Sequence, residues 1–181
     1  MLKRWLNSRR LQISGYKLYG VVVDRARDPV YYTDHGVDDT VEGRFDMICL
    51  HLFILSRRLM AMGEQGKVLQ RAAQEAMIAD MDRSLREMGF GDLSVGKEVK
   101  KMGAAWFGRL AAYDIAVDSD APREALTDAI RRNVYREVET PHAAKLAAYV
   151  AAAIDDLKKV SDEALSDAKL SLPAVGELMK D

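Results

Sequence analysis

The amino-acid sequence predicts an all-α protein, a single globular bundle of six to seven helices. No segment shows the sustained alternation of apolar and polar residues, bounded by turns, that a strand requires. The four prolines all stand where a helix could begin or end: Pro29, Pro122, Pro141 and Pro173. Because 49% of the 181 residues are apolar, the chain can bury one sizeable core.

The predicted elements follow from helical spacing of apolar residues between these breaks. We predict helices near residues 14–28, 40–62, 67–89, 94–118, 121–137 and 141–160, with a weaker helix after Ser161. On this basis the chain divides into three parts. Residues 1–13 form a basic arm, residues 14–160 form the helical domain, and residues 161–181 form an acidic tail with at most one short helix.

Local signals mark several helix ends. Ser94 and Thr140 are predicted N-caps, and Pro141 fits the first position of the helix that Thr140 begins. Gly89 is the predicted left-handed residue that ends the helix before it.

The segment Met47–Leu55 is apolar on every side of a helix, which predicts a helix buried at the centre of the bundle. It contains His51, which we interpret as a hydrogen-bonded core residue. His35 and His142 stand far from it in the sequence, without the spacing of metal ligands.

Composition narrows the class of function. The 27 basic and 28 acidic side chains leave a net charge of −1, which disfavours a uniformly basic nucleic-acid binder. A single cysteine, Cys49, excludes an intramolecular disulfide and a multi-cysteine metal site. No serine or cysteine stands beside an obvious base. The residues therefore contain no catalytic constellation that the sequence makes recognisable.

Two motifs resemble enzyme sites. The segment Gly91–Lys97 matches most of a phosphate-binding loop, but Glu98 stands where a magnesium-binding hydroxyl is needed and no strand precedes it, so we interpret it as a connection between helices. Asp38, Asp39 and Glu42 read as D-D-x-x-E, a pattern that holds magnesium and diphosphate in helical prenyl-transferring enzymes. No second acidic motif faces it, and a capping box of Asp39 and Glu42 is the preferred interpretation. A magnesium-dependent enzyme acting on an isoprenoid diphosphate stays open as an alternative.

Methionine supplies a candidate binding surface. Met77, Met81 and Met88 fall on one narrow stripe of a predicted helix. Flexible, polarizable methionine side chains suit surfaces that accept varied apolar partners. These three residues are the candidate binding site for an apolar partner, and ordinary core packing is the competing interpretation.

Basic residues supply a candidate contact with an anionic surface. Lys97, Lys100 and Lys101 share one helix face because of their spacing. The predicted arm adds four more basic residues: Lys3, Arg4, Arg9 and Arg10. Lipid headgroups or RNA phosphates would suit either group, and a solvated helix face is the competing interpretation. An RNA- or ribosome-binding adaptor is a second alternative function.

Several segments in the same order resemble the ubiquinol–cytochrome c chaperone family. They are ARDPVYYTDHGV (26–37), DTVEGRFDMICLHLFILSRRL (39–59), DMDRSLREMGFGDLSVGKEVKKM (80–102), FGRLAAY (107–113) and RNVY (132–135). The resemblance covers roughly residues 16–157. Asp38 departs from it, because a proline is expected there. The long N-terminal extension of mitochondrial members is not seen, so the sequence resembles a bacterial relative.

The resemblance implies an all-helical, non-catalytic protein without a cofactor. It implies a chaperone that binds newly made cytochrome b during assembly of the bc1 complex, together with a small helper protein and near the ribosome, and no specific DNA. The family has no catalytic residues to transfer. Its recurrent polar residues, which would form ion pairs or contacts, are Asp39, Arg44, Asp46, Arg86, Glu87, Asp92 and Arg109.

The expected location is the cytoplasm, with peripheral attachment to the inner membrane as an addition. This expectation rests on the absence from the sequence of a signal peptide or a segment of membrane-spanning length.

Overall fold

A computed structural model of the chain describes the backbone of residues 2–178 and the side chains of residues 8–176. Its elements are α1 (Leu2–Ala26), α2 (Val30–Thr33), α3 (Val41–Met60), α4 (Glu64–Glu87), α5 (Asp92–Val117), α6 (Pro122–Asn133), α7 (Pro141–Lys158), α8 (Asp162–Ser166) and α9 (Val175–Leu178). Residues 2–178 contain no strand. The predicted all-α class and single helical bundle are confirmed.

Helix α3 forms the centre of the bundle and packs against α1, α4, α5 and α7. Its residues Met47, Leu50, Phe53 and Ile54 are completely buried, as predicted from its apolar surface. The surrounding helices each turn one apolar stripe towards it, so the core is continuous from α1 to α7.

Helix α1 packs most extensively on α4 and runs in the same direction. Gly15 makes this close approach possible, because a Cβ atom there would lie 2.5 Å from both the Cβ of Ala72 and the carbonyl oxygen of Leu69. The helix predicted for residues 14–28 begins at Leu2, so the prediction of its start was wrong. Residues 2–13 continue the helix.

Two of the predicted helix starts were wrong, and local hydrogen bonds explain why. Thr40, not Asp39, caps α3, because its side chain accepts from the backbone N–H of Gly43. Gly91 is the N-cap of α5, and the Ser94 hydroxyl instead donates to the Gly91 carbonyl. Residues 92–97 are the first turns of α5 and only Gly91 precedes the helix, so the interpretation of the whole segment as a connection was wrong.

Two other helix ends are as predicted. The Thr140 side chain accepts from the N–H of His142 and caps α7, with Pro141 in its first turn. Gly89 has a φ angle of 88° and follows the end of α4.

A buried polar cluster joins α3 to α7 and to the chain after α8. His51 Nδ1–H donates to the carbonyl of Met47, which leaves Nε2 as the acceptor for the hydroxyl of Tyr31 at 2.8 Å. Tyr149 lies 3.1 Å from the same nitrogen, and its hydroxyl donates to the carbonyl of Pro173. The interpretation of His51 as a hydrogen-bonded core residue is confirmed. Complete burial lowers its pKa to about 4.

The chain after α7 contributes to the same core. Leu165 of α8, Leu172 and Val175 are buried in it, and Arg58 at the end of α3 donates to the carbonyls of Leu157 and Val160. Among the described residues, no helix combines the length and the apolarity needed to cross a membrane.

Candidate functional site

A groove lined by methionine lies where α1, α3, α4 and α5 meet. It consists of two adjoining cavities of about 290 Å³ and about 460 Å³. The residues that line both cavities are Val41, Phe45, Leu85, Met88 and Met102. We call this feature the methionine groove. A larger cavity of about 660 Å³ between α6 and α7 is lined by none of the candidate site residues that were predicted from the sequence.

The structure places all three predicted methionines in this groove. Met77 is 1% exposed and, with the buried Met81, forms the floor. Met88, which is 45% exposed, stands at the rim. Met77 and Met81 also belong to the core, as the competing interpretation expects. Binding of an apolar partner by the stripe stays a prediction.

A fourth methionine of the groove was not predicted. Met102 of α5 faces the α4 stripe across the groove and lines both cavities. Spacing along one helix carries no information about a residue on a neighbouring helix, so no sequence signal links Met102 to the stripe. The exposed rim is apolar as well, because Val41 and Phe90 stand beside Met88.

One ion pair, between Arg44 and Asp39, lies at one side of the groove. Arg44 Nε donates to Asp39 Oδ1 at 2.6 Å, and this bond holds the pKa of Asp39 below its usual range. The Arg44 guanidinium also lies over the ring of Tyr32 at 5.8 Å. Arg44 lines the groove, so the pair anchors its wall at the start of α3.

The buried carboxylate of Asp46 holds the opposite side. Its oxygens lie 2.6 Å from Arg109 Nη2 and 3.3 Å from Arg136 Nη1. Burial raises the pKa of Asp46, and the two guanidinium groups act against that effect. Asp46 and Arg109 belong to the family-like polar residues named from the sequence, and Arg136 does not. Arg136 reaches the site because the backbone turns after α6 with a φ angle of 50° at this residue.

The remaining family-like polar residues lie where α4 meets α5. Arg86 binds Asp82, with an Nε to Oδ2 distance of 2.7 Å, and also binds Asp92 of α5. Glu87 is exposed and lines the groove. Arg86 thus links the last turn of α4 to the first residue of α5.

The predicted basic residues do not form one cluster. Lys101 lies beside Leu85 at the end of α4, and Lys97 and Lys100 are exposed on the same helix α5. Ser8 of α1 lies beside Glu64 at the other end of α4, which is about 36 Å long.

The described basic residues of α1 differ in their contacts. Arg10 forms an ion pair with Asp167, which follows α8, and Arg9 is exposed. The side chains of Lys3 and Arg4 lie outside the described residues.

The two aspartates of the D-D-x-x-E pattern both make contacts at the start of α3. Asp39 is engaged by Arg44, and the backbone carbonyl of Asp38 lies close against Gly43, where a Cβ atom would come within 2.0 Å. The prediction of a capping box was wrong, because Thr40 is the cap. Among the described residues, no group of three or more histidine, cysteine or acidic side chains is arranged to hold a metal ion.

Comparison with known proteins gives three related findings. The family model described as ubiquinol-cytochrome C chaperone matches residues 33–172. The ubiquinol-cytochrome c reductase complex assembly factor 1 of Drosophila melanogaster is 27% identical over 133 residues, which are 66% of this chain and 51% of that protein. The protein of the same name from Xenopus laevis is 22% identical over 114 residues, which are 63% and 57% of the two chains. The chain thus spans about half the length of these relatives.

A solved structure matches over almost its whole length. The crystal structure of the Cbp3 homolog from Brucella abortus superposes with a TM-score of 0.85 at 33% sequence identity. The match covers 98% of this chain and 99% of that one. The helical bundle described above is therefore shared between the two proteins.

Proposed function

The chain belongs to the ubiquinol–cytochrome c chaperone family, as its sequence predicts, and from this premise we propose that it binds newly made cytochrome b or a similarly apolar membrane subunit. The family assists assembly of ubiquinol–cytochrome c reductase. In our proposal the chain acts without catalysis and without a cofactor, by holding one apolar segment of the client until the next assembly step.

The methionine groove is the observation that carries this proposal. A newly made membrane segment exposes apolar side chains that water does not solvate well. Met77, Met81, Met88 and Met102 line the groove from two helices, and unbranched thioether side chains adapt to partners of different shape. Full burial of one large apolar side chain is worth about 1.5–3 kcal/mol, so a few client residues suffice for transient binding.

The ion pairs at the groove support the same function. Arg44 pairs with Asp39 and Arg109 pairs with Asp46, so charged contacts lie at the groove wall beside the adaptable methionines. A small helper protein, the ribosome and a membrane surface are further partners in this proposal. They rest on the resemblance and on the exposed lysines Lys97, Lys100 and Lys101.

The test uses the tagged full chain in cells of its own organism. Gently solubilised membranes are purified through the tag, and mass spectrometry quantifies the bc1 subunits that accompany it. Met88→Glu places a carboxylate at the groove rim, where a bound client would have to desolvate it. We expect the enrichment of cytochrome b to fall at least tenfold. Met60→Glu is the matched control, because Met60 is 52% exposed at the end of α3 and lines neither cavity.

Two outcomes would contradict the proposal. If the unmodified chain recovers no bc1 subunit, the client is different. If Met88→Glu recovers as much cytochrome b as Met60→Glu, the groove is not the binding site. Circular dichroism of both variants confirms that each is folded.

A further inference from the structure

Helix α5 has an apolar face that points away from the rest of the bundle. The residues of this face follow one another at intervals of three or four, and the exposed ones are Leu93, Lys97, Lys100, Ala104, Phe107, Ala111 and Ile115. We call them the outward face of α5. Leu93 is 100% exposed, Ile115 is 73% exposed and Phe107 is 58% exposed. Three of the four most exposed large apolar side chains among the described residues therefore lie on this one strip.

The charges on the outward face have one sign. Lys97 and Lys100 lie on it, and Lys101 flanks it. The outward face contains no acidic residue. The neighbouring carboxylates are engaged by other basic residues. Asp92 binds Arg86, Asp114 and Asp118 both bind Arg57, and Glu98 lies 3.6 Å from the flanking Lys101. In the described part of the chain, no carboxylate pairs with Lys97 or Lys100.

We propose that the outward face of α5 docks on an anionic lipid surface. In this arrangement Leu93, Phe107 and Ile115 enter the boundary between headgroups and acyl chains, and Lys97 and Lys100 contact the lipid phosphates. An interfacial helix has an apolar face with basic residues at its polar boundary, and it lies parallel to the membrane plane. The strip from Leu93 to Ile115 spans about 33 Å along the helix axis, which is enough for such contact over its whole length.

The distribution of residue size favours lipid as the occupant. The large apolar side chains are separated along the strip by Ala104 and Ala111. Separate side chains can each enter a fluid lipid layer, whereas a protein interface needs a continuous, well-packed apolar core. The positive charge of Lys97 and Lys100 complements anionic headgroups, which strengthens the same conclusion.

Docking in this way leaves the methionine groove open. On α5 the groove is lined by Glu98, Lys101, Met102, Ala105 and Arg109. Lys101 stands at the boundary between the groove and the outward face, and the other four lie on a different side of the helix from that face. This inference rests on the proposed function in one respect, since it names the surface through which the chaperone would reach a membrane-bound client.

The test measures cosedimentation of the full chain with vesicles of phosphatidylcholine alone and of phosphatidylcholine mixed with phosphatidylglycerol. We expect at least tenfold stronger binding to the mixed vesicles, and a decrease with salt. Ile115→Glu should weaken this binding at least tenfold. Ile78→Glu is the matched control on α4, because Ile78 is also exposed but lies outside both the groove and the outward face. Lys97→Glu should weaken binding at least fivefold, which corresponds to about 1 kcal/mol.

A fluorescence measurement reports insertion directly. Phe107→Trp places an indole on the outward face, and its emission should shift to the blue on addition of mixed vesicles and be quenched by lipids brominated in the acyl chains. The unsubstituted chain supplies the background from Trp5 and Trp106. Failure to bind mixed vesicles, or equal binding by the Ile115→Glu and Ile78→Glu variants, would overturn the proposal.

The two proposals fail separately. Met88→Glu should leave vesicle binding unchanged, and Ile115→Glu should leave capture of cytochrome b in detergent unchanged. If the unmodified chain captures cytochrome b but does not bind vesicles, only the proposal of a lipid-docking surface is refuted. If the unmodified chain binds vesicles but captures no cytochrome b, only the proposed function is refuted.

Discussion

The contact between α1 and α4 allows a sharp test of how glycine holds this bundle together. Gly15 and Gly20 both lie in α1, five residues apart. At Gly15 a Cβ atom would come within 2.5 Å of the Ala72 Cβ and of the Leu69 carbonyl oxygen. At Gly20 no heavy atom of another part of the chain lies within 4 Å of the position that a Cβ atom would take. The same substitution by alanine should therefore have opposite effects at the two positions.

The size of each effect follows from two terms. Alanine is favoured over glycine inside a helix by about 1 kcal/mol, which applies equally at both sites. Carbon atoms prefer separations of about 3.5–4.0 Å, so Gly15→Ala forces α1 and α4 about 1 Å apart. Overpacking of this kind costs about 1–3 kcal/mol, and a contact of 2.5 Å with a backbone oxygen belongs in the upper part of that range, at about 2–3 kcal/mol. We therefore expect Gly15→Ala to lower the free energy of unfolding by about 1–2 kcal/mol and Gly20→Ala to raise it by about 0.5–1 kcal/mol.

Thermal and urea unfolding followed by circular dichroism measure these differences. For a chain of this length about 1 kcal/mol corresponds to a change in Tm of about 2–4 °C. Gly15→Ala should lower Tm by about 2–8 °C, and Gly20→Ala should raise it by about 1–4 °C. If both variants shift Tm in the same direction, the close approach of α1 and α4 at Gly15 does not exist as described.

Three further predictions concern the core and the end of α8. Burial holds the pKa of His51 near 4, below its ordinary value of 6.5, so between these values the unfolded chain binds more protons than the folded one. About 3 kcal/mol of stability that is present above pH 6.5 is therefore lost as the pH falls towards 4. Urea unfolding of the His51→Gln variant should lack this part of the pH dependence. Arg58→Ala should lower the free energy of unfolding by about 2 kcal/mol, because it removes bonds to two carbonyls, whereas Arg57→Ala should change it little, since its partners are exposed. Ala168→Gly should raise Tm, because Ala168 has a φ angle of 55° just after the end of α8, where glycine is free of strain.

Much of the fold could be predicted from the sequence because its signals are local. Thr140 followed by Pro141 marks a helix start through its own hydrogen bond, and the structure has that start. The apolar surface of Met47–Leu55 predicts burial whichever helices surround it. The start of α1 was predicted too late, because its first residues carry basic charge rather than a clear apolar stripe.

The groove could be predicted only in part, because it is made by tertiary contacts. Spacing on one helix identified Met77, Met81 and Met88, but Met102 joins them only when α5 folds back along α4. Arg136 stands 90 residues after Asp46, and its contact depends on a left-handed turn at a residue that is not glycine. Neither fact leaves a pattern in the sequence.

Helix α5 joins the two surfaces on which the proposals depend. One side carries Met102 and Arg109 and closes the groove, while the exposed side carries Phe107 and Ile115. Because a helix is rigid over its length, the orientation of one surface fixes that of the other. If α5 lies along the lipid surface, the groove opens beside the membrane rather than into it. Under the two proposals, an apolar client segment would then bind the methionines at the membrane surface. The Asp46–Arg109 ion pair holds α5 to α3, so it sets the angle between the lipid surface and the groove.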